Sequence, residues 1–366
     1  MSTFGNAGAV AARFALRGAI EEVAALPGGH INESYRVTVR ANGARAPFLL
    51  QRLNPAVFPD AARLMENIVG VTRHLAARRR AGAAACETLM LVPTTSGAAW
   101  IEDAAGACWR VYEFISGAHM QERPRGPADV REAARAFGEF LRLLADYDGP
   151  ALHETIPGFH DTRARVARLE IAIQADTAAR AASVRAEIAA VRAWTSLADV
   201  LPPYLASGEV PRRVVHNDAK LSNVLLDDAT GRSRCVVDLD TVMPGTILHD
   251  FGDMVRSMTS PTDEEEADLT QVGVRLPLFE ALAAGFLETA GAMLTARERS
   301  LLVHAGRLIT YEQAVRFLTD HLEGDRYYRI TRAGQNLARA RTQLRLLETL
   351  AAHDAEFEAI VTRAGD

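Results

Sequence analysis

The 366-residue chain is expected to be an α+β protein of two lobes, an antiparallel sheet lobe followed by a larger, mainly helical one. Three observations point there. The length exceeds what a single hydrophobic core commonly serves. Residues up to about 115 read as short strands broken by turns. Beyond about 127 the apolar residues recur mostly at helical spacing, interrupted by one strand–turn–strand pattern. The expected division is 1–115 and 116–366.

The opening stretch MSTFGNAGAVAARFALRGAIEEVAAL reads as an amphipathic helix, because Arg13, Arg17, Glu21 and Glu22 interrupt its apolar residues. The same charges argue against a signal peptide. Pro27-Gly28-Gly29 leads into strands over 34–40 and 48–53, joined through the Asn42-Gly43 turn signal. Glycines ahead of paired strands suit a flap over an anion, since backbone N–H groups approach most closely where side chains are absent.

Asp60 opens a helix with Leu64, Ile68, Val71 and Leu75 on one face. Arg78, Arg79 and Arg80 close it, where the helix dipole favours cations. Runs 88–93, 98–102 and 108–115 read as three more strands, completing a sheet of about five. Helices are expected over 127–145, 161–174, 178–195, 277–291, 298–309 and 311–322, and from 333. Asp263 to Asp268 reads as a helix start or an exposed loop.

The densest chemistry lies between 214 and 257. Two apolar runs, Asn223–Leu226 and Cys235–Leu239, flank the turn-rich Asp227-Asp228-Ala229-Thr230-Gly231, a hairpin pattern. His216-Asn217-Asp218 precedes the first run, Asn223 follows the aspartate by five, and Asp238 sits in the second run. This is the spacing of a kinase catalytic loop, with Asn217 in the arginine place. Phosphoryl transfer needs a group that orients a hydroxyl and hard oxygen ligands for magnesium. Asp218 fits the first task; Asn223 and Asp238, with Asp240 just beyond, fit the second. Lys220 can meet a phosphoryl oxygen as a point charge.

HNDAKLSNVLL followed by VVDLDTVMPGTILHDFGD resembles the aminoglycoside phosphotransferase and choline kinase superfamily. With GGHIN, LLQR, LMEN and YYRI…GQNLARARTQL, the chain is most similar to the N-acetylhexosamine 1-kinases, over about residues 27 to 350. The resemblance implies a two-lobed protein-kinase-like fold that uses ATP and Mg2+ to phosphorylate the anomeric hydroxyl of an N-acetylhexosamine. It implies a flap at Gly29, a helix glutamate at Glu66, and adenine contact by the main chain of Glu113 to Ile115. It places His30, Asn32, Arg316 and Tyr328 beside the sugar. His216 becomes a structural histidine, and Asp250 a brace for the catalytic loop.

Lys220 is the chain's only lysine, so the strand lysine that grips phosphates in protein kinases has no counterpart. Gln51 stands in its place and Arg52 beside it, on opposite faces of a strand. Both are candidates for the nucleotide side. The turn Glu323-Gly324-Asp325-Arg326-Tyr327-Tyr328-Arg329 offers aromatic faces and charged donors suited to a sugar. An aminoglycoside or other small-alcohol phosphotransferase, and a catalytically silent kinase-like binding protein, are the competing readings.

A net charge of −5 argues against a nucleic-acid partner. No apolar run approaches eighteen residues, so no membrane span is expected. Cys86, Cys108 and Cys235 lack metal-ligand spacing, and a reducing cytoplasm is the expected compartment.

Overall fold

In the computed structural model the described residues are 3–26, 31–83 and 86–365. They form two compact units, Met1–Ala118 with Tyr147–Pro157, and His119–Asp146 with Gly158–Asp366. Sequence patterning did not register that 147–157 rejoins the first unit. That return is held by Asn67, whose amide exchanges two 2.9 Å hydrogen bonds with the main chain of His153.

The first unit contains α1 (Thr3–Ala11), β1 (Ala19–Ala25), β2 (Glu33–Ala41), β3 (Ala44–Arg52), α2 (Ala61–Arg80), β4 (Ile101–Glu102) and β5 (Cys108–Glu113). The strands form one five-stranded sheet in the order β1-β2-β3-β5-β4, with antiparallel neighbours. Asn42 takes φ 50° at the β2–β3 turn. Asp60 caps α2 by accepting from the Arg63 N–H at 3.0 Å. Val37, Val39 and Leu50 of the sheet pack with Trp109 and Val111 and with Val10, Ala11 and Phe14 of the N-terminal segment.

Two expectations fail here. The single opening helix is a nine-residue helix followed by strand β1. Local helix preference of its Ala and Glu residues is overridden by pairing with β2, where Arg40 bonds Glu21 and Arg45 reaches Glu21 and Glu22. Residues 88–93 are not a strand; they meet β5 through one bridge, Leu91 to Tyr112, so β1 is the fifth member of the sheet.

After the short β6 (Ala118–His119), the second unit runs through α3 (Pro127–Leu144), α4 (Thr162–Ala175), α5 (Arg185–Ala193), α6 (Leu201–Ser207), β7 (Arg213–Val215), β8 (Val224–Asp227), β9 (Ser233–Val236) and β10 (Met243–Gly245). It continues with α7 (Ile247–Met258), α8 (Leu276–Ala290), α9 (Ala296–Ser300), α10 (Leu302–Glu323), α11 (Gln335–Ala351) and α12 (Asp354–Gly365). The expected 178–195 helix is shorter because Asp176, left-handed at the end of α4, accepts from the Arg180 and Ala181 N–H groups and turns the chain. The two helices expected across 298–322 are instead divided near Leu301. Nothing interrupts α10 at Thr310, whose hydroxyl bonds the Gly306 carbonyl at 2.7 Å.

The stretch Leu276–Met293 is long and apolar enough to span a membrane by length and composition, contrary to expectation, but half of it is buried inside the protein. Phe279 lies against Phe357 with ring centres 4.0 Å apart, and Phe286 meets Phe251 edge-to-face at 5.1 Å. Helices α7 and α10 pack closely enough that a Cβ on Gly252 would collide with the Ala305 carbonyl oxygen. All three cysteines are buried, and no disulfide joins them.

Candidate active site

The loop 216–223 is fixed before it reaches its functional side chains. Asn217 has φ 63°, a left-handed conformation that a non-glycine residue holds only where its surroundings impose it. Here they do. Its N–H donates to Asp250 Oδ1 at 2.6 Å, and its side-chain Nδ2 to the carbonyls of Thr241 at 3.0 Å and Met243 at 3.3 Å. Its carbonyl faces His160 Nε2 at 3.0 Å. β10 runs so near that a Cβ on Gly245 would lie 2.7 Å from Asn217 Oδ1.

Asp250 also accepts from the His216 N–H at 2.8 Å, so one fully buried carboxylate braces two successive amides, as the resemblance implies. Burial pushes its carboxyl up to about 6, against the neighbouring His216 and the two N–H donors, which favour ionisation. His216 is wedged edge-on against Phe137 and Phe140, with Nε2 3.0 Å from the Val237 carbonyl. A carbonyl can only accept, so Nε2 carries the proton, and the ring ties the loop to the hairpin strand.

This bracing presents Asp218 with its two oxygens in different roles. Oδ2 accepts from Lys220 Nζ at 2.9 Å and from Asn223 Nδ2 at 2.8 Å; Oδ1 accepts from no described residue. Burial raises the aspartate's pKa, but the Lys220 ammonium and the Asn223 hydrogen bond outweigh it and hold the carboxyl well below the usual range. Lys220 feels burial in the opposite sense; Asp218, Asp238 and Asp253 keep it protonated.

Asn223 ends a 3₁₀ turn just before β8, and its carbonyl accepts from the Val237 N–H at 2.9 Å. That bond crosses the hairpin and sets Asp238 next to Asn223 along the chain's return. Asp238 is not inside the strand, as expected, but two residues past β9, exposed and left-handed at φ 60°. Asp240 is buried in the following 3₁₀ turn.

Among the described residues no group of three His, Cys, Asp or Glu side chains could hold a metal. A kinase magnesium asks for less, one or two protein oxygens plus phosphates and water. The Asn223 amide supplies one: its Nδ2 is committed to the Asp218 carbonyl and carboxylate, both at 2.8 Å, which leaves Oδ1 as an acceptor with no described donor. An amide oxygen oriented this way beside a carboxylate fits Mg2+.

A second cluster lies on α10 and the turn after it. Asp320, buried, accepts from the N–H groups of Arg326, Tyr327 and Tyr328 at 2.8, 2.8 and 2.9 Å and from Asn336 Nδ2 at 2.8 Å. That single carboxylate shapes the turn. Tyr328 stacks on Phe317 at 4.7 Å, and its hydroxyl receives Gln313 Nε2 at 3.1 Å. The Arg316 guanidinium lies 4.8 Å from the Phe159 ring centre and 5.6 Å from that of Tyr328. Burial pushes the Tyr328 hydroxyl up to about 12, although Arg316 favours its ionisation. Arg165, Arg168, Arg316, Asp320, Glu323 and Tyr328 line one cavity. Arg316 and Tyr328, expected beside a sugar, both line this cavity; Arg165 and Asp320 line it too and carry no local signal in the sequence.

The remaining expected residues belong to the first unit. Gln51 Oε1 accepts from Arg110 Nε at 3.1 Å and Nη2 at 2.8 Å, and its Nε2 reaches Ser34 at 3.1 Å. Arg52 faces the other way, onto Glu33 at 3.0 Å and the Trp109 ring at 6.0 Å. A buried cation on Gln51's side of the sheet is Arg110, its direct cross-strand partner. Glu66, the helix glutamate that the resemblance implies, meets His153 at 2.7 Å. Asn32 Oδ1 accepts from the Asn54 N–H at 3.0 Å, tethering two loops. Glu113, exposed at the end of β5, gives its N–H to the Met90 carbonyl, so that group is not available to an adenine; Ile115 lies two residues further on, half-buried. Gly29 and His30 lie outside the described residues.

A loop built this way, with an aspartate, a lysine, an asparagine and a second aspartate on one hairpin, defines a small-molecule kinase. The model of the phosphotransferase enzyme family matches residues 22–284, and the chain belongs to that family. Solved structures agree on the fold. A microcompartment-associated aminopropanol kinase is 15% identical with a TM-score of 0.60, covering 97% of this chain and 98% of that one. An aminoglycoside phosphotransferase from Alicyclobacillus acidocaldarius is 16% identical with a TM-score of 0.60, covering 97% and 96%. A spectinomycin phosphotransferase in complex with ADP and spectinomycin is 13% identical with a TM-score of 0.57, covering 92% and 94%.

Proposed function

We propose that this phosphotransferase moves the γ-phosphoryl group of ATP to the anomeric hydroxyl of an N-acetylhexosamine, giving the sugar 1-phosphate. The observation that carries the catalytic part is the asymmetry of Asp218: Oδ2 is taken by Lys220 and Asn223, and Oδ1 is left to accept a hydroxyl proton. With its pKa held low, Asp218 orients the hydroxyl and takes its proton late, sufficient for a loose phosphoryl transition state. Asn223 Oδ1 and Asp238, with Asp240 in the following turn, are the residues that would hold Mg2+. When bound, the metal would supply positive charge against the charge that develops on the transferring phosphoryl group. Lys220 supplies a fixed positive charge between the carboxylates. In the first unit, the main chain that follows Glu113, up to Ile115, is the proposed adenine edge, and Gln51 with Arg110 the proposed phosphate side.

The acceptor assignment is supported by the α10 cavity. Of its two acids, Asp320 is spent on backbone N–H groups and Glu323 pairs with Arg168 at 2.6 Å. Arg316 and Arg165 make no ion pair among the described residues, and burial together with the Arg316 charge lowers the Arg165 pKa. A lining with cations outside any ion pair and aromatic faces favours a neutral, hydroxyl-bearing acceptor and repels cationic aminoglycosides or amino alcohols.

ADP release tests this, measured with N-acetylglucosamine, N-acetylgalactosamine, glucose, ethanolamine and kanamycin as acceptors, with a magnesium-free control. Turnover confined to the acetylated amino sugars is expected. Turnover with ethanolamine or kanamycin alone would move the assignment to the cationic acceptors, and no ADP release with any would leave a silent fold.

A further inference from the structure

Beneath the loop lies a buried charged pair that the reaction scheme above does not use. His160, at the entrance of α4, places Nδ1 2.8 Å from Glu312 Oε1 and Nε2 3.0 Å from the Asn217 carbonyl oxygen. Thr162 donates its hydroxyl to Glu312 Oε2 at 2.7 Å. Both side chains are almost wholly shielded from solvent, at 6% and 1% exposure. Two acceptors, a carboxylate and a carbonyl, face the two ring nitrogens, so both bonds form together only when the ring carries two protons. The pair is thus an imidazolium and a carboxylate, and the imidazolium grips the residue immediately before Asp218. Glu312 also stands one helical turn from Arg316 on α10, on the helix that builds the acceptor cavity.

We propose that the His160–Glu312 pair is a positioning device that locks the left-handed Asn217, and with it the aim of Asp218, to the acceptor-binding helix. Asp250 holds the Asn217 N–H from α7 and His160 holds its carbonyl, so the residue before Asp218 is held through both of its peptide groups. The inference rests on the reading of Asp218 as the group that orients the acceptor. Every charged or titratable group facing His160 enters its balance: Glu312 and Arg316 from α10, and His249 and Asp250 from α7. The His249 ring lies 4.5 Å from it. Burial opposes the charge on His160, but Glu312 wins and its pKa is raised. His249 is pushed by burial and by His160 down to about 3, against the pull of Glu312, and stays neutral.

The sign follows. A raised histidine is charged below its folded pKa and loses its second proton as pH rises through it, so the Asn217 clamp releases on the alkaline side. The test uses the acceptor with the highest turnover in the panel above, saturating Mg-ATP, and kcat and KM measured from pH 6 to 9.5. His160→Gln keeps one donor of similar reach and is expected to lower kcat at least tenfold, leave the KM for ATP within twofold, and flatten the alkaline limb. Glu312→Gln is expected to move that limb down by a pH unit or more, and it carries the test alone if His160→Gln does not fold. An alkaline limb unmoved in Glu312→Gln, or a kcat in folded His160→Gln within twofold of the parent, overturns the proposal. Asp218→Asn run in parallel separates the layers: an inactive Asp218→Asn with an unaffected His160→Gln rejects the clamp alone, whereas an active Asp218→Asn rejects the reading beneath it.

Discussion

Replacing Asp218 by Asn tests the site at the level of single atoms. In the native loop Oδ2 receives two donors, Lys220 Nζ at 2.9 Å and Asn223 Nδ2 at 2.8 Å. An asparagine amide has only one oxygen, and those donors demand it. The amide NH2 must then occupy the place of Oδ1, where the acceptor hydroxyl is to be received. The substitution therefore converts the hydroxyl's acceptor into a donor, at unchanged side-chain volume. Loss of an oriented proton acceptor is expected to lower kcat by roughly 10²–10⁴-fold, equivalent to about 3–5 kcal/mol of barrier. Substrate affinities should change little, because the interaction is gained mainly as the nucleophile loses its proton. The assay is coupled ADP release with both KM values, alongside a melting curve to show that the Lys220 environment survives. A kcat within threefold of the parent would refute the argument.

Asn223→Ala removes the oriented amide oxygen and should raise the Mg2+ concentration for half-maximal activity at least tenfold; an unchanged magnesium titration would assign the metal elsewhere. Asp320→Ala strips the acceptor from three N–H groups of the 326–328 turn. The acceptor KM should then rise by an order of magnitude while that for ATP holds, and equal changes in both would deny a specific role for the turn. Burial raises the Glu312 pKa, but His160 and Thr162 prevail and hold it at about 2. A lowered carboxyl stabilises the fold above its unfolded value and loses that contribution as pH falls, so about 3 kcal/mol should disappear between roughly pH 5 and 2. Urea unfolding of the parent against Glu312→Gln over that range measures it; parallel pH curves would contradict it. Phe286→Ala, fully buried against Phe251, should cost about 3–5 kcal/mol in the same assay, and a loss below 1 kcal/mol would mean that α8 is not a packed core helix.

The hairpin was legible because its information is local: turn residues, alternating apolar runs, and polar residues at fixed offsets along a few tens of positions. So were most helices, through their period and through caps such as Asp60 and Asp161. β1 was not, since alanine and glutamate favour a helix until β2 offers a pairing edge. Arg110 was missed for a related reason. Strand register makes it the neighbour of Gln51, and register is fixed by pairing between distant segments rather than by either strand alone.

The chain's order of residues determined by itself which chemical groups exist and which lie within one loop: Asp218, Lys220 and Asn223, a hairpin to carry Asp238, and a single lysine that had to serve there or nowhere. Only the tertiary structure decided how those groups are aimed. His160 and Glu312 lie 152 positions apart and Asp250 more than thirty from the loop it braces, and buried charges find partners wherever packing brings them, at separations that sequence spacing does not encode.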